Sequence, residues 1–236
     1  MNDNILEVQG IHTYIGQFHI LEGVSLQVPR KSITVLLGRN GAGKTTTLKS
    51  ILGLTPPREG MVKFAGREIQ GKRAYDIAAM GIGYVPEHRA IFRNLSVAEN
   101  LKIAEREKGD LERKADFIFN LFPDLQRLYK LPGNHLSGGQ QQMLAIARAL
   151  VPDNQLLLID EPSEGLAPIL IEQMMAAIKE LSATTTILLV EQNFIMASQL
   201  GETYYIVDDG QTVHAGQMAS LVADRELIQR YLGAST

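Results

Sequence analysis

Gly38-Arg39-Asn40-Gly41-Ala42-Gly43-Lys44-Thr45 has the spacing G-x-x-x-x-G-K-[ST], in which a glycine loop cradles the phosphates of a nucleoside triphosphate. Glycines let the backbone curl so that successive N–H groups turn inward on an anion. The helix expected from Thr45 to Leu54 adds its positive N-terminal end at the same place. Lys44 is a mobile cation for the outer phosphates, and the Thr45 hydroxyl is an oxygen ligand for Mg²⁺. The predicted cradle runs through Gly38, Asn40, Gly41, Ala42, Gly43, Lys44, Thr45 and Thr46. This is a nucleotide site.

Two further stretches carry chemistry. Leu156-Leu157-Leu158-Ile159-Asp160-Glu161 is an apolar strand ending in two carboxylates. Ligands of open α/β sheets sit at the carboxyl ends of strands, so both acids face the phosphates. Asp160 can orient Mg²⁺, and Glu161 can accept a proton from an attacking water. Leu136-Ser137-Gly138-Gly139-Gln140 reads locally as a helix start, with Ser137 and Gln140 forming a capping box. That pattern also starts helices that bind nothing. Each glycine in a helical turn costs about 0.8–1 kcal/mol relative to alanine, which makes sense where the backbone must come close to a ligand.

Elements of a particular kind must position these residues. Ile33 to Leu37 is an apolar strand feeding the loop, and Ile5–Gln9 and Val24–Val28 alternate like half-exposed antiparallel strands. Met61 to Phe64 reads as a strand, Arg73 to Met80 as a helix, and Gly83 to Pro86 as a core strand end. From Ser96 the texture changes. Ser96-Val97-Ala98-Glu99 is a capping box, and Glu99 to Phe122 is amphipathic at helical spacing. The run Glu105-Arg106-Glu107-Lys108 is assigned to the solvated face of that helix. After Leu150, strand and helix alternate as in a parallel sheet, and Asp208-Asp209-Gly210 signals a hairpin. A short helical tail starts at Met218.

The whole is an α/β fold: a P-loop NTPase core with a mostly parallel sheet, an N-terminal antiparallel β-subdomain and an inserted helical subdomain. We divide the single domain 1–236 into a core of 1–87 and 151–236 and a helical insert of 88–150.

Composition narrows the function. The 236 residues are 45% hydrophobic and 21% charged, with net charge −3, so no basic field favours nucleic acid. Cysteine is absent, which excludes disulfides and thiolate metal sites and suits a reducing compartment. Met1-Asn2-Asp3-Asn4 lacks a basic start and an apolar core, so no leader is expected. No apolar run is long enough to cross a membrane, and any span must come from a partner.

The order of these motifs over nearly the whole chain resembles the nucleotide-binding subunits of ABC (ATP-binding cassette) proteins. In that family the segment Ser137, Gly138, Gly139, Gln140 binds the γ-phosphate of ATP held by an opposite subunit, so two chains pair head to tail. Tyr84-Val85-Pro86-Glu87 stands where most relatives have a glutamine, and Val190-Glu191-Gln192-Asn193 where most have a histidine. With Gln140 to Ile146 and Glu161 to Pro168, this is similar to the ATPase subunits of bacterial branched-chain amino-acid importers. Urea and short-amide importers are close alternatives, and non-transport ABC ATPases a more distant one. P-loop kinases and GTPases are disfavoured by the Ser137–Gln140 segment and by the lack of an N-K-x-D motif.

The resemblance implies ATP and Mg²⁺ as cofactors, with Thr45, Asp160 and Glu87 at the metal and Glu161, Gln192 and Glu87 in catalysis. Glu87 either reaches Mg²⁺ or serves as a coupling-loop residue. Gln192 donates to the γ-phosphate or is a polar residue past a strand. Adenine stacking falls on Ile15 or, through a twisted or bulged strand, on Tyr14. Ala167 replaces an aspartate of many relatives. The implied partners are a second ATPase subunit, in a homo- or heterodimer, and membrane-spanning permease subunits, with a solute-binding protein involved indirectly and no nucleic acid. The implied location is the cytoplasmic face of the membrane.

Overall fold

Strand β1 (Asn4–Ile15) pairs antiparallel with β2 (Phe18–Pro29) on one side and β4 (Glu59–Phe64) on the other. With β5 (Arg67–Glu68) they form a four-stranded sheet in the order β2-β1-β4-β5. The computed structural model describes residues 3–233; Met1 and Asn2, read above for a leader, and residues 234–236 lie outside it. β1 and β2 outrun the segments read from alternation. Register shifts at Val8/Ile11, Ile11/His12 and Thr13/Tyr14 let the ladder continue where the alternation slips.

The second sheet has six strands. β3 (Ile33–Leu37) lies between β9 (Thr203–Asp208) and β8 (Thr186–Glu191), followed by β7 (Leu156–Asp160) and β6 (Ile82–Val85), all parallel. β10 (Gln211–Gln217) adds antiparallel to β9 at the edge, through the expected two-residue turn. Asp209 and Gly210 both have positive φ (43° and 72°), the conformation that matches strand twist. β3, β7 and β8 are buried along their whole length, which is why they read as unbroken apolar runs.

Their two faces feed two cores. Ile33, Val35, Leu37, Leu157, Ile159, Ile187 and Leu189 pack with the buried faces of α6 (Gly138–Leu150), α7 (Pro168–Ser182) and α8 (Phe194–Leu200). Leu36, Leu156, Leu158, Leu188 and Val190 pack with the antiparallel sheet and with α1 (Lys44–Ile51). The phosphate-loop helix is thus clamped between two sheets.

Between β6 and β7 the chain is helical, with one correction. The amphipathic stretch is two helices, α3 (Val97–Ile103) and α4 (Asp110–Leu121), followed by α5 (Pro123–Arg127) and a 3₁₀ turn, Gly133–His135. The Glu105–Lys108 run is the connecting turn and not a helix face. Asp110 accepts from Arg106 N (2.9 Å) and Glu107 N (2.7 Å), Glu105 accepts from Leu111 N (3.1 Å), and Gly109 takes φ 91°. Local carboxylates outcompete the helix for these donors. The tail is α9 (Met218–Ala223) and α10 (Arg225–Leu232). Among the described residues no helix is long and apolar enough to cross a membrane.

Candidate nucleotide site

Three neighbouring strands end together. Leu37 of β3 lies opposite Glu191 of β8, and Val190 lies opposite Asp160 of β7. The glycine loop leaves β3, the acids leave β7, and Gln192 leaves β8, so parallel order alone gathers them at one edge.

Only glycine fits the loop at its ends. A Cβ on Gly38 (φ 153°) would lie 2.3 Å from Val207 O, and one on Gly43 (φ 107°) 2.7 Å from Leu21 Cδ2. Ala42 is buried, and its carbonyl accepts from Gly210 N at 3.0 Å, which ties the loop to the β9–β10 turn. Lys44 donates to Gly38 O (2.9 Å) and Arg39 O (3.1 Å) and pairs with Glu161 Oε1 at 3.0 Å. An ammonium so held is aimed along the concave side of the loop.

Asp160 is fully buried. Thr45 Oγ1 donates to its Oδ1 (3.1 Å) and Tyr84 OH to its Oδ2 (3.2 Å). Burial raises the Asp160 carboxyl above the usual range, and those two hydrogen bonds work against the shift. Burial, with the adjacent Asp160 carboxylate, holds the Tyr84 phenol far above its ordinary value, so Tyr84 acts only as a donor here. Thr45 with Asp160 presents the hard oxygen pair that Mg²⁺ accepts beside phosphates. Among the described residues no cluster of three or more His, Asp or Glu forms an all-protein cage. Mg²⁺ in phosphate sites takes one or two carboxylates and leaves the rest to phosphate and water.

Glu161 turns sharply out of β7. Its φ is +44°, a left-handed conformation that is unfavourable for a side chain with Cβ, while its N–H donates to Val190 O at 2.9 Å. The carboxylate thereby faces a cavity of about 440 Å³ together with Asn40, Gly41, Gly43, Lys44, Thr45, Thr46, Glu87 and Glu164. Ile15 and Ile20 supply the apolar side. Of the two aromatic-platform alternatives, the structure places Ile15 at the cavity. The strand is irregular at Thr13/Tyr14, yet Tyr14 is engaged elsewhere. It stacks on His19 (4.1 Å between centroids, 6° between planes) under the Arg58 guanidinium at 4.3 Å.

Other site residues lie apart. Gln192 is exposed and absent from the cavity wall. Ser137 caps α6 with both bonds of the capping box present (Gln140 N to Ser137 Oγ, 3.3 Å; Ser137 N to Gln140 Oε1, 2.9 Å). None of Ser137, Gly138, Gly139 and Gln140 borders that cavity. The expected ligand approach at the glycines has a protein counterpart within the chain. A Cβ on Gly138 would meet Arg89 Nη1 at 3.1 Å, and one on Gly139 would meet Leu170 Cδ1 at 2.4 Å. Glu87 borders both the 440 Å³ cavity and a second cleft lined by His88, Arg89, Gln141 and Glu164.

Sequence reasoning passed over Tyr84 and Glu191. Glu191 is buried and accepts four hydrogen bonds, from Ser163 N and Oγ, Gln192 N and Asn193 N. The available signal was a carboxylate closing an apolar strand run, the same signal that singled out Asp160.

Known proteins resemble this chain over most of its length. The family model described as ABC transporter matches residues 21–164. The high-affinity branched-chain amino acid transport ATP-binding protein BraG of Pseudomonas aeruginosa is 38% identical over 232 residues, 97% of this chain and 100% of that protein. The lipopolysaccharide export system ATP-binding protein LptB of Acidithiobacillus ferridurans is 32% identical over 239 residues, 97% of each chain. Among solved structures, the ADP conformation of an ATP-binding cassette of an ABC transporter is 28% identical, with a TM-score of 0.86 over 98% of this chain and 99% of that one.

Proposed function

Since the chain belongs to the ABC transporter family and is an ATPase, we propose that it drives solute import, with branched-chain amino acids as the solute. The observation that carries the reading of the site is the shared cavity, where Glu161 faces the phosphate loop and Thr45 is bonded to Asp160. The similarity to the branched-chain amino acid protein over nearly the whole chain supports the solute. The similarity to the lipopolysaccharide export protein supports a second reading, in which the same cassette powers export.

In the proposed reaction the loop N–H groups and Lys44 hold the β- and γ-phosphates of ATP. Mg²⁺, held by Thr45 with Asp160, would supply neutralisation of phosphate charge. Glu161 Oε1 takes the proton of a water whose oxygen attacks the γ-phosphorus; the bond to the bridging oxygen breaks and ADP leaves. Gln192 donates an amide N–H to the γ-phosphate. Gln192 lies outside the cavity wall in one chain, so this role requires closure. The Ser137–Gln140 segment of a second ATPase subunit completes the site, consistent with its separation from the phosphate loop here. ATP must prefer the closed pair for its binding to move attached permease subunits, and the chain then works at the cytoplasmic face of the membrane. Glu87, shared by the cavity and the adjoining cleft, supports either Mg²⁺ contact or coupling.

The test is ATP hydrolysis by the complex purified from native membranes and reconstituted in vesicles. Stimulation by leucine, isoleucine or valine with the solute-binding protein is expected. Stimulation by urea or short amides instead would move the solute. Co-purification with lipopolysaccharide-export components would overturn import.

A further inference from the structure

We propose that Glu191 is the positioning residue of the hydrolytic site, its carboxylate tying the segment that carries Glu161 to the segment that carries Gln192. The inference rests on the roles given to Glu161 and Gln192 above and assigns what sets their geometry.

Glu191 closes β8, the strand between β3 and β7, and lies opposite the last residue before the glycine loop. No other carboxylate stands so centrally at that edge among the described residues. Its Oε2 accepts from Ser163 Oγ (3.0 Å), Gln192 N (3.1 Å) and Asn193 N (3.1 Å), and its Oε1 accepts from Ser163 N (3.1 Å). Ser163 is two residues beyond Glu161. A backbone link also joins the two segments, from Glu161 N to Val190 O. Glu161 holds a left-handed φ of 44°. Such a conformation persists only where its surroundings over-determine it; the bonds on its two sides, at Glu161 N and at Ser163, do so.

The chemistry of the acceptor matters. Four donors converge on one buried group, and an ionised carboxylate offers about four lone-pair sites and no hydrogen. A glutamine in its place keeps an oxygen for the three donors at Oε2 but turns an NH₂ on Ser163 N. It therefore loosens the Glu161 side while sparing most of the Gln192 side. An alanine releases both. Gln192→Ala leaves its own backbone N–H in place, so the Glu191 contacts survive that substitution.

The experiment is a set of variants in the complex purified with its membrane subunits, reading kcat and KM for ATP, with circular dichroism as the folding control. Glu191→Gln is expected to lower kcat by roughly 10-fold with KM for ATP changed less than about threefold, and Glu191→Ala to lower it by roughly 100-fold. Ser163→Ala, which deletes one of the four bonds, should fall between wild type and Glu191→Gln. It keeps the idea testable if the Glu191 variants fail to fold. The loss from Glu191→Ala should shrink in a Gln192→Ala background, because positioning a missing side chain gains nothing. Wild-type kcat in Glu191→Gln and Ser163→Ala, a parallel rise in KM, or full additivity with Gln192→Ala would overturn the proposal. Full turnover in Glu161→Gln would instead overturn the underlying roles, whatever Glu191 does.

Discussion

Lys44 and Glu161 form an ion pair at 3.0 Å with both side chains largely withdrawn from solvent (4% and 13% exposed). The cation proposed to meet the phosphates and the carboxylate proposed as base thus hold each other, and a γ-phosphate bound there has to compete with Glu161 for the ammonium.

Lys44→Ala should therefore keep the fold and lose nucleotide. A charge-assisted hydrogen bond is worth about 1.5–3 kcal/mol, or roughly 10–150-fold in affinity. Nucleotide titration alongside circular dichroism measures both. Unchanged affinity in a folded variant would remove Lys44 from the phosphate site.

Glu161→Gln should leave ATP binding intact or tighter, because the amide no longer competes as a charge for Lys44. Hydrolysis should fall by about 10²–10⁴-fold, the usual contribution of a positioned base, and a closed two-chain species should accumulate. Light scattering with ATP and Mg²⁺ reads the assembly, and phosphate release reads the chemistry.

Gln192→Ala should lower kcat by roughly 10–150-fold with little change in ATP affinity, if its amide bond to the γ-phosphate strengthens in the transition state. Gln192→His should restore turnover and add a titration near the ordinary imidazole pKa of about 6.5. A pH–rate profile of the three proteins separates these outcomes. Wild-type turnover in Gln192→Ala would make the residue structural.

Tyr84→Phe removes the donor on Asp160 Oδ2 and leaves the ring in place. Loss of such a supporting bond typically costs about 10–100-fold in metal affinity or activity. Hydrolysis as a function of Mg²⁺ should show the half-saturating concentration rising by that order. An unshifted curve would separate Tyr84 from the metal.

Burial raises the Glu191 carboxyl above its ordinary value of 4.5. The folded state then holds this proton more tightly than the unfolded state. The resulting stabilisation is present in full below the ordinary value and is lost as pH rises through the folded pKa. Urea unfolding of wild type and Glu191→Gln from acid to neutral pH should show wild type losing ground to the variant as pH increases. A constant difference would mean that Glu191 titrates alike in the folded and unfolded states.

Much of this was legible beforehand, and the reasons are physical. Lys44, Thr45, Asp160 and Glu161 are read from spacing because the loop and the strand end are local, and parallel order brings them together without further information. Both capping boxes, at Ser96 and at Ser137, formed as their four-residue pattern requires. The break between α3 and α4 was hidden because Asp110 and Glu105 suit a helix by composition and act here on turn amides. Ile15 against Tyr14 was undecidable from alternation because β1 carries register shifts, and the partners of Tyr14, His19 and Arg58, come from β2 and from the bend before β4. Glu191 and Tyr84 act through Ser163 and Asp160, and such long-range pairs leave no local pattern.

The contact between Gly139 and Leu170 joins the start of α6 to the start of α7. A Cβ at 139 would press to 2.4 Å of Leu170 Cδ1 and 3.2 Å of its Cγ, so alanine there makes the Leu170 side chain turn aside. Helix α7 begins at Pro168, directly after the segment that Glu161 opens and Glu191 fastens. A wider residue at 139 therefore presses on Leu170 at the start of the helix that follows the Glu161 turn. The start of α6 and the start of α7 thus share one packing contact, and chimeras that exchange one without the other must repack Leu170.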